Sequence, residues 1–175
     1  MRGTLTVAVV MGGPSAEHAI SLKSGQGVLE ALRRRHWDAV PVVIPGSPAG
    51  EETAAMTARS LRDCGAEVVF IALHGAFGED GTIQQLCEDL QLAYTGSDVS
   101  ASRLGMDKVA SRRRFVHAGL AVPRSQVVET TASPPTIRGL SYPLVVKPTA
   151  QGSSVGVSIV QRPDARALAP DDPSD

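Results

Sequence analysis

Aromatic side chains make up only 3% of these 175 residues: one Trp, two Tyr and three Phe. A core built from this chain must therefore be mostly Val, Leu, Ile and Ala. Cysteine is scarce as well. Cys64 and Cys87 lie far apart, with no CxxC pair and no histidine at zinc spacing, so no zinc-site pattern is present. Cys87 falls on the apolar stripe of a predicted helix and reads as a small core residue. Neither sign of charge is in excess: 17 Lys+Arg against 18 Asp+Glu leave a net -1. That balance gives no electrostatic reason to expect nucleic acid or an acidic membrane as partner. The triplets Arg33-Arg34-Arg35 and Arg112-Arg113-Arg114 sit late in, or along, predicted helices, where a solvated face near the negative helix end accounts for them. Long apolar runs are also missing. The N-terminal run stops at Gly12-Gly13, too short for a signal peptide or a membrane span, and a cytoplasmic, reducing setting is the default expectation.

What is present is enough hydrophobic residue, 42% against 20% charged, to bury a core in one domain or a domain and part of another. "LTVAVVM" (5–11) is a continuous β-branched run, as expected of a strand buried on both faces of a parallel sheet. The segment 15–35 reads as a loop running into a helix, with Ile20, Val28, Leu29 and Leu32 as its apolar contacts. Strands follow at 38–44, 67–73 and 92–96. Between them lie helices at 52–64, stopped by Gly65, and at 82–90, where Ile83, Leu86, Cys87 and Leu90 repeat at i, i+3, i+4 and i+7. Strand and helix alternating with short connections predict a parallel α/β sheet up to about residue 100. A helix is expected over 104–118, with Asp107 as an N-cap before Lys108 and Gly119 closing it. A strand at 124–129 and a proline-bearing loop at 130–143 come next. The last 13 residues turn polar and proline-rich, like a frayed or truncated end.

Ligands in parallel α/β sheets bind at the carboxyl ends of the strands. Here those ends carry "GGPSAEH" and "HGAFGEDG". Glu17 is placed to hold an ammonium group or, equally, to be a first-turn helix acid favoured by the dipole. His74 is either a satisfied structural histidine or a substrate neighbour, and Glu79-Asp80 either contribute to a site or cap the helix at Thr82. The stretch "VVKPTAQGSSVGVSIV" (145–160) lacks the GK[ST] ending of a Walker loop and runs into strand-like sequence. It predicts a hairpin. Gly152, Gly156, Ser153, Ser154 and Lys147 would make that hairpin a phosphate-holding lid, or Gly and Ser serve turn geometry and Lys147 is merely exposed.

Taken together, "GGPSAEHAISLKSG", "ALHGAFGEDGTIQQL", "YTGSDVSASRLGMDK" and "YPLVVKPTAQGSSVGVSIV" resemble, in order and spacing, the D-alanine–D-alanine ligases, ATP-grasp enzymes of peptidoglycan synthesis. The resemblance covers residues 5 to about 160. It implies a Rossmann-like parallel-sheet N-terminal domain over 1–103, followed by the start of a truncated ATP-grasp domain over 104–175. It also implies a reaction in which ATP phosphorylates a first D-alanine and the amine of a second displaces phosphate from the acyl phosphate. By the same resemblance, Glu17 binds the first substrate's ammonium, and Ser153 links the lid to Glu17; these two are the expected catalytic residues. His74 positions substrate. Lys108, Lys147, Gly152 and Ser154 contact ATP phosphates. The expected partners are D-alanine and ATP, with homodimerisation through the N-terminal domain.

The family's later half, as the resemblance implies it, supplies adenine contacts, a tyrosine, an arginine and the ligands of two Mg2+ (or Mn2+) ions. No place for these exists after Val160, so no metal ligand is expected in this chain and it is expected to be inactive by itself. A D-lactate- or D-serine-using ligase, or a non-catalytic half-protein binding D-alanine or nucleotide, are the alternatives. Residues 1–100 are expected to fold as a unit, with the piece from 104 onward more loosely held and cut first by protease between about 130 and 141 or in the tail.

Overall fold

The computed structural model describes residues 5–46, 50–129 and 137–162. Residues 47–49 of the first Pro/Gly-rich loop, 130–136 of the proline-bearing loop and the polar tail beyond 162 lie outside the described residues. The chain divides into two compact units, Met1–Gly105 and Met106–Asp175.

The first unit is a four-stranded parallel sheet in the order β2-β1-β3-β4, formed by β1 (Thr6–Gly12), β2 (Asp38–Ile44), β3 (Val68–Ile71) and β4 (Ala93–Tyr94). Strand β1 is central, pairing from Thr6↔Asp38 to Gly12↔Ile44 on one side and from Val7↔Val68 to Val10↔Ile71 on the other. This position is why β1 reads as an unbroken apolar run: both its faces are covered. Its side chains alternate between faces. Ala8 and Val10 join Leu61, Ile83 and Cys87 in one buried cluster, and Val9 and Met11 join Leu29 and Ala72 in another. Helix α1 (His18–Arg34) therefore covers one face, and α2 (Glu51–Asp63) with α3 (Thr82–Asp89) the other. Pro41 is tolerated in β2 because that strand is an edge.

The contact face of α1 differs from expectation. Ile20 is 57% exposed, and the buried residues are Ser21, Gly25 and Leu29, a clean i, i+4, i+8 row; Val28 and Leu32 pack at its margin as anticipated. A Cβ on Gly25 would lie 2.5 Å from Met11 Cβ, so the helix comes closer to β1 than any larger residue permits. Ser21 is admitted to this face because its hydroxyl has two backbone partners, Gly12 N–H (2.9 Å) and the Ala72 carbonyl (2.8 Å). Counting only apolar residues assigns the face one position too early.

Two further expectations are corrected. The single helix over 104–118 is two, α4 (Val99–Met106) and α5 (Lys108–His117). Asp107 is extended at the break, and its carboxylate accepts from Val109 and Ala110 N–H at 2.8 and 3.0 Å, which starts a new helix as an N-cap does. Residues 124–129 form no strand. Val127 is 59% exposed there, and β-branched composition makes a strand only where an edge is available to pair with. The predicted hairpin is present: β5 (Leu144–Val146) and β6 (Ser158–Val160) pair antiparallel, Leu144↔Val160 to Val146↔Ser158.

Candidate functional site

In the first unit the chain leaves β1 for β2 on one side, while β3 lies on the other, so the order reverses between β1 and β3. The crevice above the carboxyl ends of those strands is where such sheets take ligands. Gly12 and Gly13 carry the chain out of β1 with φ of 87° and 89°, and a Cβ on Gly12 would meet the Ile44 carbonyl at 2.4 Å. No side chain fits at Gly12. The turn brings Ser15 and Glu17 to the crevice from the β1 side, and the loop after β3 brings His74 and Gly75 from the other.

Ser15 clasps the two loops. Its hydroxyl donates to the His74 carbonyl at 2.7 Å and accepts from Glu17 N–H at 3.2 Å. Glu17 occupies the N-cap position of α1 and makes no side-chain capping bond to that helix. Oε2 of Glu17 lies so close to Gly75 that a Cβ there would be 2.8 Å from it. The His74 ring is hydrogen-bonded at one nitrogen, Nε2 at 3.3 Å from Ser24 Oγ, and its Nδ1 lies 3.7 Å from Glu79 Oε1. Asp80 accepts from Phe77 and Thr82 N–H at 2.9 and 3.0 Å, which fixes the loop and the start of α3. Gln84, buried on α3, donates to the Gly78 carbonyl at 2.8 Å. Of the two acids left open by the sequence, Asp80 is structural and Glu79 faces His74.

The second unit gathers the other expected residues. Lys108 opens α5. Its N–H donates to the Thr149 carbonyl at 2.9 Å and its ammonium to the Gln151 carbonyl, so it reaches the loop that carries Gly152, Ser153 and Ser154. That loop is two successive turns, Val155 N–H to Gly152 O at 3.1 Å and Val157 N–H to Ser154 O at 3.2 Å. Ser153 and Ser154 both take left-handed φ, 48° and 61°, which disfavours a residue with a Cβ by about 1 kcal/mol or more each. Left-handed backbone of this kind turns successive amides toward one side, the geometry of anion cradles. Gly156 (φ 67°) packs on Pro148, where a Cβ would be 2.9 Å from Cγ. The sequence placed the conformational freedom in Gly152 and Gly156; the structure places it in Gly156 and the two serines. Lys147 is exposed just past β5. Among the described residues, no three His, Cys, Asp or Glu side chains gather as a metal site would require.

Residues 6–60 and 46–97 match the D-ala D-ala ligase N-terminus, and residues 100–169 match the D-ala D-ala ligase C-terminus. The chain belongs to the D-alanine–D-alanine ligase family. Among curated relatives, the D-alanine–D-alanine ligase of Geobacter sulfurreducens is 44% identical over 162 residues, 92% of this chain and 48% of that protein. That of Cupriavidus metallidurans is 46% identical over 164 residues, 93% of this chain and 47% of its own length. The chain thus spans about half the length of the curated ligases it matches. The crystal structure of D-alanine–D-alanine ligase from Bacillus anthracis complexed with ATP superimposes with a TM-score of 0.70 at 27% identity, covering 91% of this chain and 51% of that one. The parallel four-stranded sheet is thus the fold of this ligase family.

Sequence reasoning missed Ser15, Ser21 and Ser24, the three hydroxyls that tie β1, α1 and the His74 loop together. Their signal was a helix whose inward face carries serine and glycine where leucine is expected.

Proposed function

We propose that these residues form the first-substrate pocket and the phosphate-binding lid of an ATP-dependent D-alanine–D-alanine ligase serving peptidoglycan synthesis in the cytoplasm. Turnover would need the groups carried by the other half of the relatives' length. The observation that carries this reading is the meeting of Glu17 and the His74 loop, clasped by Ser15, at the reversal point of the sheet.

A carboxylate is a poor electrophile. ATP supplies the phosphoryl group that turns the first D-alanine's carboxylate into an acyl phosphate, and the second D-alanine's amine then attacks the carbonyl and releases phosphate. Glu17, a carboxylate beside a glycine backbone, holds the first substrate's ammonium as a charge-assisted hydrogen-bond acceptor. His74, hydrogen-bonded to Ser24 and with Glu79 nearby, shapes the pocket wall next to it. Lys108 and Lys147 bring positive charge, and Ser153, Ser154 and their amides bring donors, where negative charge collects on phosphoryl oxygens. The lid also excludes water, which would hydrolyse the acyl phosphate. Mg2+ is implied by the family resemblance, but the described residues offer no cluster to hold it, and no step here passes through it.

Titration of the purified chain with D-alanine, L-alanine and ATP, followed by NMR, tests the reading. D-Alanine should shift the Ser15–Glu17 and His74–Gly75 amides, and Glu17→Gln should abolish that response, while ATP should shift residues 147–157. Absence of any D-alanine response in the unmodified chain would remove the substrate-pocket assignment.

A further inference from the structure

The Glu17 carboxylate lies against the Gly75 backbone, in the space that a side chain there would take. A Cβ on Gly75 would be 2.8 Å from Glu17 Oε2, 3.2 Å from Ser15 Cβ and 3.4 Å from Ser15 Oγ. The peptide there is fixed. The Gly75 carbonyl accepts from Gly78 N–H at 3.2 Å and from Glu79 N–H at 2.8 Å, and the preceding carbonyl, of His74, is held by Ser15. Of the groups around the missing methyl, the end of the Glu17 side chain is the flexible one and the one that must give way. From this we infer that Gly75 is a positioning residue: its bare backbone is the slot that sets where the Glu17 carboxylate stands. On the ligase reading, it thereby sets where the first substrate's ammonium is held.

The chain contains its own control. Gly65 has nearly the same φ, +64° against +65° at Gly75, but nothing lies within 4 Å of a Cβ built on it. Alanine carries the same left-handed penalty at both positions, and only at Gly75 does it meet Glu17. Gly75→Ala and Gly65→Ala should therefore lose similar thermal stability, roughly 4–8 °C for each kcal/mol of penalty in a unit of this size. The Glu17 side-chain carboxyl carbon, followed by NMR, should change its chemical shift in Gly75→Ala and keep it in Gly65→Ala. D-Alanine binding should weaken about tenfold or more in Gly75→Ala alone, as expected when a charged hydrogen-bond partner is displaced.

Unchanged Glu17 carboxyl signals in Gly75→Ala overturn the inference. If Gly75→Ala does not fold while Gly65→Ala does, the double variant Glu17→Ala/Gly75→Ala decides: recovery of folding supports the slot, and continued failure overturns it. If the unmodified chain takes no D-alanine, the substrate-pocket assignment falls, while the carboxyl signal still decides whether Gly75 places Glu17.

Discussion

Strand β1 and the β5–β6 hairpin are written in the same Val- and Ile-rich alphabet and end in opposite surroundings. In β1 every residue from Val7 to Gly12 is buried. In the hairpin the directly paired Val145 and Ile159 are 61% and 66% exposed, and Val160 is the one buried residue among the described residues of 106–162. Charge divides as well: residues 106–175 hold nine of the 17 Lys+Arg but six of the 18 Asp+Glu. Composition alone therefore does not make a core. What differs is covering: β1 has strands on both sides and helices on both faces, while the hairpin has a single partner strand. Segments with few buried contacts open at low free energy, so the first unit can hold Glu17 and His74 still while the second supplies an adaptable, basic loop. That division would suit the substrate pocket and lid proposed above.

The largest effect that tests the contrast is truncation of matched aliphatics. Leu61→Ala in the first unit should destabilise by about 2–5 kcal/mol, because Leu61 is fully buried among Val10, Val69 and Ile83. Ile159→Ala should change stability by no more than about 0.5 kcal/mol. Urea denaturation of both variants measures the difference. Equal losses would mean that the hairpin face is covered in solution and the contrast is wrong.

Next in size is a pH effect confined to the sheet unit. Burial pushes the Cys87 thiol up from 9.0 to about 12, with the charge of Glu88 adding to it. The folded value lies above the unfolded one, so the stability held by the neutral thiol is intact below pH 9 and is lost as pH rises from 9 toward 12. The slope approaches about 1.4 kcal/mol per pH unit. Cys87→Ala should flatten that alkaline slope, and in the native chain Cys64, the partly exposed thiol, should be alkylated before Cys87. Faster reaction at Cys87 would show that the unit opens there.

Helix caps give a smaller effect of about 1 kcal/mol. Asp107→Ala should speed amide exchange in 108–117 without moving the global transition, because α5 has no buried residue. Asp98 presents the same device on α4, accepting from Ala101 N–H at 2.7 Å and Ser100 Oγ–H at 3.0 Å. The Ala101 bond first, then the Ser100 hydroxyl, hold its carboxyl below the ordinary value. Its capping contribution is therefore present above the unfolded carboxylate range and is lost as pH falls through the lowered folded value. Exchange in 99–106 that ignores acid would contradict this.

The sheet was legible in the sequence because its evidence is local: an unbroken run for β1, a helical stripe through Ile83 and Cys87, glycines after strands. Asp107 was legible as a cap, yet its consequence was not followed, since a residue that starts a helix at Lys108 must end the one before it. The strand expected at 124–129 failed for a non-local reason: no partner edge pairs with it among the described residues. Glu17 and His74 could be named from their loops. The hydroxyls that bring them together could not, because Ser15 and His74 are joined by a hydrogen bond across 59 positions that no spacing rule reveals.

The smallest effect concerns Lys108, and it separates two roles that the sequence merged. If the ammonium served only as a phosphate ligand, removing it would leave the nucleotide-free loop unchanged. The structure instead shows it donating to the Gln151 carbonyl, one residue before Gly152. Lys108→Met keeps most of the stem and removes the donor. An exposed hydrogen bond worth about 0.5–1.5 kcal/mol corresponds to roughly two- to tenfold faster exchange of the Gly152–Val157 amides when it is lost. Lys147→Met should leave those rates unaltered, since Lys147 is exposed and contributes none of the hydrogen bonds described for the loop. Hydrogen exchange without nucleotide reads both variants in one experiment. Faster exchange in Lys108→Met alone would mean that the loop is partly pre-shaped without nucleotide, so that the basic unit is loose in its packing yet ordered in the loop proposed to take phosphate. Identical rates in both would leave the lid as mobile as its burial pattern implies, with nucleotide as the sole source of its order.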